Sequence, residues 1–227
     1  MAQLIAFDGI DASGKTTQAK ILEKKLRESG REVLQLSFPA YESESSALVR
    51  LYLNGALGAR PDDVNAYAAS SFFAADRYIS YHLDWLDWKG FYAKENGVVL
   101  ANRYTTANAI HQLSKLPKTE WDKFLDWLWD YEFEKLKIPK PDLTVFFDMH
   151  PDVAARLIEE RAKKTGHGKD IHEMDFEYLA RCHEAGLYAA KYLGWEVIVC
   201  YDTDEAGMSV PKGEREISEG LFGLCHI

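Results

Sequence analysis

Between Gly9 and Thr16 the chain reads Gly-Ile-Asp-Ala-Ser-Gly-Lys-Thr, a match to G-x-x-x-x-G-K-[ST]. Glycines at Gly9 and Gly14 let a backbone curl until successive N–H groups point inward at phosphate oxygens. A lysine next in line, Lys15, can reach the outer phosphates of a nucleoside triphosphate, and the Thr16 hydroxyl suits the Mg²⁺ that travels with it. The expected nucleotide cradle is therefore Gly9, Ile10, Asp11, Ala12, Ser13, Gly14, Lys15, Thr16 and Thr17, with Thr16 as the metal ligand. A phosphate loop needs a strand before it and a helix after it. Both flanks are present: Leu4-Ile5-Ala6-Phe7 is apolar, and from Lys15 onward Ile21, Leu22 and Leu26 recur on one helical face.

The elements that must position this loop continue in alternation. Gln3 to Phe7 reads as a buried strand, and the first helix stops at Ser29-Gly30. Glu32 to Phe38 is a second strand, broken at Pro39. Ser43 to Tyr52 reads as a short helix ended by Asn54-Gly55, and Arg60 to about Trp88 as a long one with small and aromatic residues along its face. Val98 to Ala101 is an uninterrupted apolar run of the kind central parallel strands carry. A helix from Thr119 to Leu136 places Trp121, Phe124, Leu125 and Leu128 on one stripe, read as core packing. Leu143 to Phe147 is a fourth strand, Asp152 to Ala162 a helix, and Lys163 to Lys169 a basic, glycine-containing loop. Phe176 to Leu193 is a helix, Glu196 to Cys200 a fifth strand, and Ile217 to Leu224 a terminal helix. Strand–helix alternation at this spacing predicts an α/β fold: a three-layer, doubly wound sheet of five parallel strands with a P-loop and flanking helices. With no repeat and no linker, residues 1–227 are expected to form a single domain.

Bulk properties narrow the class. A chain of 227 residues can bury a substantial core. A formal net charge of −9 argues against a nucleic-acid polymer as partner, since such binding rests on neutralising phosphates. No window approaches a membrane span, so no membrane partner is expected. The first strand begins at once, without a charged leader, and Cys182, Cys200 and Cys225 are widely spaced. The reading is a cytoplasmic protein with reduced thiols.

In doubly wound sheets ligands bind beyond the carboxyl ends of the strands. After the second strand come Phe38-Pro39-Ala40-Tyr41, after the third Asn102-Arg103-Tyr104, and after the fourth Asp148-Met149-His150-Pro151. An arginine leaving a central strand can hold phosphate with its fork of donors. Phe73 and Arg77 lie four apart on the long helix and share a face, offering a nucleobase a stacking plane and donors for its edge. One triphosphate does not account for these residues. A second nucleotide with its own phosphate does, and two phosphates meeting over Lys15 describe phosphoryl transfer.

Phe7-Asp8-Gly9-Ile10-Asp11, Phe38-Pro39, Ala75-Asp76-Arg77, Arg103-Tyr104 and Pro141-Asp142-Leu143-Thr144 resemble, in order and spacing, the thymidylate kinases, over about Leu4 to Cys200. The resemblance implies ATP- and Mg²⁺-dependent conversion of dTMP to dTDP by a homodimer. It implies that Asp11 lies near the transferring phosphoryl, that Phe73 stacks on thymine, and that Arg77 donates to its O4 edge. Arg103 would clamp the acceptor phosphate and Asn108 read the base, with Phe38, Pro39, Tyr104 and His111 completing the substrate site. Arg161, Lys163, Lys164 and Lys169 fall in the family's lid, a segment of about 161–175. The catalytic set so implied is Asp11, Lys15, Arg103 and Arg161. Asp170 to Glu173 is similar to the family's D-R-[FY]-E, with Ile171 for the arginine.

Several positions depart from the family's pattern. Ala12 stands where the eukaryotic branch has an arginine, so the arrangement looks bacterial, with lid cations assisting the loop. Tyr41 replaces an arginine, Asn102 an aspartate, and His111 a tyrosine that screens against a ribose 2′-hydroxyl. Three readings stand at this level: a kinase of dTMP, a kinase of another pyrimidine nucleotide or of a deoxynucleoside, and a non-catalytic nucleotide-binding P-loop protein.

Overall fold

The computed structural model describes residues 1–83, 88–165 and 176–225. Five parallel strands form its centre: β1 (Gln3–Asp8), β2 (Glu32–Ser37), β3 (Gly97–Asn102), β4 (Leu143–Asp148) and β5 (Glu196–Val199), in the order β2-β3-β1-β4-β5. The chain moves from β1 outward to β2, returns to insert β3, then crosses to β4 and β5 on the other side. Ile5 pairs with Leu100 of β3, and Phe7 with Val145 of β4, so β1 is hydrogen-bonded on both edges. β1, β3 and β4 read as near-continuous apolar runs because both their faces are covered, whereas β2 and β5, at the sheet edges, are partly exposed. Ile5, Phe7, Val98, Leu100, Val145 and Phe147 join one core with Leu22, Phe124, Leu128 and Leu179. The intervening Leu4, Ala6, Val99 and Ala101 join another with Trp88, Tyr104 and Ile138.

The helix α1 (Lys15–Glu28) starts directly from the loop and buries Ala19, Leu22 and Leu26; it ends as expected, with Gly30 left-handed at φ +84. A 3₁₀ turn (Glu44–Ser46), capped by the Ser43 side chain, leads into α2 (Ala47–Leu53). The expected long helix is shorter at its start. Pro61–Asp63 forms a separate 3₁₀ turn, Val64 is extended, and the Asn65 side chain accepts from Ala68 N at 2.9 Å to open α3 (Ala66–His82). Leu83 is extended, so α3 stops there; Leu86 lies outside the described residues, and Trp88–Tyr92 is a separate helix α4. The short α5 (Thr105–His111) follows β3 and is buried almost throughout.

The tryptophan stripe packs as core: α6 (Trp121–Trp129) buries Trp121, Phe124, Leu125 and Leu128. It then widens into a π-helix, Asp130–Lys135, where Leu136 N donates to Tyr131 O five residues back. α7 (Pro151–Thr165), α8 (Phe176–Leu193) and α9 (Glu214–Cys225) complete the layers. The segment after β5 is a small hairpin of β6 (Tyr201–Thr203) and β7 (Ser209–Pro211), its turn held by the Asp204 carboxylate accepting from Ala206 N and Met208 N. Cys182, Cys200 and Cys225 are free thiols. Among the described residues, no helix is long and apolar enough to cross a membrane.

Candidate active site

The loop between β1 and α1 has no room for a side chain at its first glycine. Gly9 has φ +152, and a Cβ there would fall 2.6 Å from Phe147 O. Ala12 takes the left-handed region at φ 59, which an alanine occupies only at a cost of about 1 kcal/mol. Lys15 is buried, with Nζ 2.9 Å from Gly9 O and 2.8 Å from Ile10 O. Burial, then the neighbouring Arg103 cation, lower its pKa to about 8, against the pull of Asp11 and Asp8. Asp11 to Thr17 line a cleft of about 340 Å³, with Asn102 and Arg103 from the end of β3 and Leu157 and Arg161 from α7. Gly9 and Ile10 support this cleft from behind: Ile10 is fully buried and both carbonyls hold Lys15.

A second cleft of about 230 Å³ opens beside it. Phe38, Pro39 and Tyr41 line it from the end of β2, Phe73 and Arg77 from α3, and Asn108, His111 and Gln112 from α5 and its end. The Phe38–Pro39 peptide is cis. Phe73 is half-buried and set edge-on against Tyr52, centroids 6.1 Å apart at 88°. The Tyr52 hydroxyl in turn accepts from Lys115 Nζ at 2.7 Å, and burial lowers that lysine's pKa to about 8. Arg77 and Asn108 are each 1% exposed and reach the cleft from below. Tyr104 is not in the cleft: it is fully buried, donates to Pro139 O at 2.7 Å, and offers its carbonyl to Arg77 Nη1 at 3.3 Å.

Asp11, Asn102 and Arg103 line both clefts and so form their common wall. Arg103 N donates to Phe7 O at 2.9 Å, one bond beyond β3, and φ 63 then turns the chain into α5. That turn swings the guanidinium between the clefts, where it pairs with Asp11 and sits 2.6 Å from His111 Nε2. Asn102 Nδ2 donates to Thr16 Oγ1 at 3.1 Å, leaving a buried Oδ1 without a protein partner. Arg161 is exposed on α7, and Lys163 pairs with Glu159 at 2.9 Å. The Lys164 side chain, Lys169 and Asp170 to Glu173 lie outside the described residues.

Sequence reasoning missed three carboxylates that hold this site. Asp8 is fully buried at the end of β1; it accepts from Gly9 N at 3.0 Å and Thr106 Oγ1 at 2.6 Å, tying the loop to α5. Burial raises its pKa, against the lowering by Arg103 and Lys15. A charged residue closing an apolar strand was the signal for it. Asp76 accepts from Ala40 N at 2.9 Å and Ser45 Oγ at 2.5 Å, fixing the Phe38–Pro39 turn. It lies next to Arg77 in the chain, and its type alone does not mark it from other helix acids. Glu132, in the π-helix, is fully buried against Arg77 and carried no signal, being one of several acids in that helix.

The family model of thymidylate kinase matches residues 7–205. A thymidylate kinase of Mycobacterium tuberculosis (strain ATCC 25618 / H37Rv) is 31% identical over 218 residues, covering 94% of this chain and 99% of that protein. A thymidylate kinase of Caenorhabditis elegans is 32% identical over 167 residues, 67% of this chain and 66% of that one. A solved thymidylate kinase structure from Candida albicans aligns with a TM-score of 0.68 at 22% identity, covering 99% of this chain and 91% of that chain, which establishes likeness of fold.

Proposed function

This chain belongs to the thymidylate kinase family, and we propose on that premise that it moves the γ-phosphoryl of ATP onto dTMP across the wall formed by Asp11, Asn102 and Arg103. The observation that carries this reading is that wall: two clefts, one lined by a phosphate loop and one by an aromatic–guanidinium pair, meet at the same three residues. In-line transfer needs little covalent chemistry from the protein beyond positioning and charge. The loop N–H groups and Lys15 would hold the ATP phosphates. Arg103 would clamp the acceptor phosphate, drawn from Asp11 as that phosphate arrives, and Asp11 would then stand beside the transferring group. Arg161 on α7 would add positive charge from the lid, taken as about 161–175 within a single domain. Phe73 would stack on the base, Arg77 and Asn108 read its edge, and Phe38, Pro39 and His111 enclose the nucleotide. Tyr104 contributes from beneath, through the carbonyl that orients Arg77.

Mg²⁺ would accompany ATP. The residues fit it: Thr16 presents an exposed hydroxyl, and beside it the buried Asn102 Oδ1 is an acceptor still lacking a partner. Hard cations take oxygen ligands, often through water. Among the described residues no cluster of three or more His, Cys, Asp or Glu could hold a metal, so the phosphates would supply the remaining ligands. The ion's contribution is neutralisation of phosphate charge.

The protein is taken as cytoplasmic and homodimeric. Leu48 and Leu51 on α2, Tyr78 and Ile79 on α3 and Leu83 just beyond its end are large apolar side chains left exposed, and covering them is what a second copy would do. Sedimentation at micromolar concentration would give a dimer mass; a monomer mass removes that part of the reading. The activity is tested by coupled ADP release against dTMP, dUMP, dCMP, dGMP and the ribonucleotides. Preference for dTMP is expected, and clear preference for a purine or ribonucleotide overturns the assignment.

A further inference from the structure

Beneath the acceptor cleft lies a closed polar cluster. Glu132 accepts from Arg77 Nε at 2.7 Å, from Arg77 Nη2 at 2.5 Å, from Thr105 Oγ1 at 2.7 Å and from Asn108 Nδ2 at 3.3 Å. Asn108 Nδ2 also donates to Ser70 O at 3.3 Å. Glu132 is fully buried, and Arg77 and Asn108 are 1% exposed.

The chemistry of these partners fixes which way each group faces. A carboxylate and a backbone carbonyl only accept, so the side of Asn108 that meets Glu132 and Ser70 O must be its NH₂. Both amide hydrogens are thereby engaged inside the protein, and the atom left for the cleft is Oδ1, an acceptor. Arg77 is fixed from the same carboxylate. Nε and one Nη2 hydrogen go to Glu132, and one Nη1 hydrogen goes to the Tyr104 carbonyl. A guanidinium has five N–H donors, so two remain for the cleft, and it has no acceptor. The floor of the cleft thus presents one donor group and one acceptor in fixed order.

Resting on the thymidylate reading above, we propose that Glu132 sets base specificity, by fixing with Ser70 O the polarity of Asn108 and by orienting the donors of Arg77, without touching the nucleotide. A thymine or uracil edge offers a ring N3–H donor beside the O4 acceptor and matches the floor. A cytosine edge offers an N3 acceptor beside an N4 amine, which places acceptor on acceptor and donor on donor. Glu132 is a positioning residue, and the group it excludes is the 4-amino pyrimidine. Buried sites built for a hydrogen bond discriminate strongly, because a mismatched base leaves their polar atoms unpaired.

The test is the ratio of kcat/KM for dTMP to that for dCMP, with dUMP as a base of the same edge. Glu132→Gln keeps the shape and replaces an acceptor-only group with one that also donates, so Asn108 loses one of the two acceptors that fix its amine and keeps only Ser70 O. The dTMP-to-dCMP ratio should fall by at least about tenfold, with dUMP following dTMP. An unchanged ratio, with all three substrates reduced alike, overturns the proposal. A wild-type protein that does not prefer dTMP to dCMP overturns the thymidylate reading itself, a separate outcome. Because the variant removes a buried charge opposite Arg77, a measurement on the wild type stands beside it. In ¹⁵N-asparagine-labelled protein, the Asn108 side-chain amide, assigned by its absence in Asn108→Ala, should be protected from exchange before and after dTMP is added. Exchange at the rate of a free side chain overturns the proposal.

Discussion

Arg103 Nη1 lies 2.6 Å from His111 Nε2. A guanidinium donates only, so Nε2 must accept and His111 must be neutral, with its proton on Nδ1. That nitrogen is 3.5 Å from Cys182 Sγ, a thiol whose pKa burial pushes up to about 12 and which itself donates to Ser114 Oγ. The Tyr178 ring stacks on the imidazole at 6.3 Å, and Asp11 takes the other side of the guanidinium.

Protonating His111 would set a cation against Arg103. KM for the monophosphate should therefore rise at acid pH, where that protonation sets in. His111→Gln retains an acceptor that does not titrate, and should lose this component of the profile. The substrate phosphate titrates in both proteins and cancels in the comparison. Superimposable profiles would contradict the tautomer argument.

Lys15 is charged below about pH 8 and loses its proton above that value in the nucleotide-free protein. Phosphates placed beside it favour the charged form and raise its pKa again. ATP binding at pH 8.5 should then take up protons, seen by titration calorimetry in buffers of different ionisation enthalpy. Affinity should decline above pH 8. Lys15→Met should abolish the uptake and lower kcat by roughly 10²–10³, the effect of removing one preorganised charge stabiliser. Proton uptake that persists in the variant would place the titrating group elsewhere.

Asp76→Ala removes the acceptor for Ala40 N and Ser45 Oγ. Leaving a buried donor unsatisfied costs about 1–3 kcal/mol, and the freed turn carries Phe38 and Pro39. Urea unfolding should report the loss of stability, and KM for the monophosphate should rise while KM for ATP stays. Equal changes in both KM values would mean the turn serves both clefts.

A methyl group at position 186 would fall 2.5 Å from Phe146 Cε2, a ring fully buried in β4. Gly186→Ala should cost roughly 1–3 kcal/mol, the usual penalty of overpacking, with both KM values near wild type. An unaltered unfolding midpoint would mean that α8 shifts to accommodate it.

What the sequence revealed follows from how local each signal is. The loop of Gly9 to Thr16 is contiguous, and its chemistry is written in eight adjacent residues. β1, β3 and β4 announce themselves because burial on both faces leaves no polar alternation to confuse them with a helix. Arg103, Phe73 and Arg77 were visible because each lies just beyond a strand or on one turn of a helix. Strand order was not, since periodicity says nothing of which strands pair. α3 starts later than the spacing predicts because Val64 continues the helical pattern, while the Asn65 cap that opens the helix lies one residue further on. The wall shared by the two clefts joins residues 92 apart, and Glu132 faces Arg77 across 55 positions. No local pattern carries such pairings.

The π-helix at Asp130–Lys135 has a consequence for how this protein can change. A π-turn behaves as one residue added to an α-helix, and one residue is about 100° of rotation. Remove a single residue from that stretch and the helix relaxes to ordinary winding, carrying Glu132 off the axis that faces Arg77. Every side chain in the cleft would keep its identity while the floor beneath lost its anion. In this segment it is therefore length, more than composition, that the protein must inherit unaltered: a tolerated substitution and an intolerable deletion can sit at the same position.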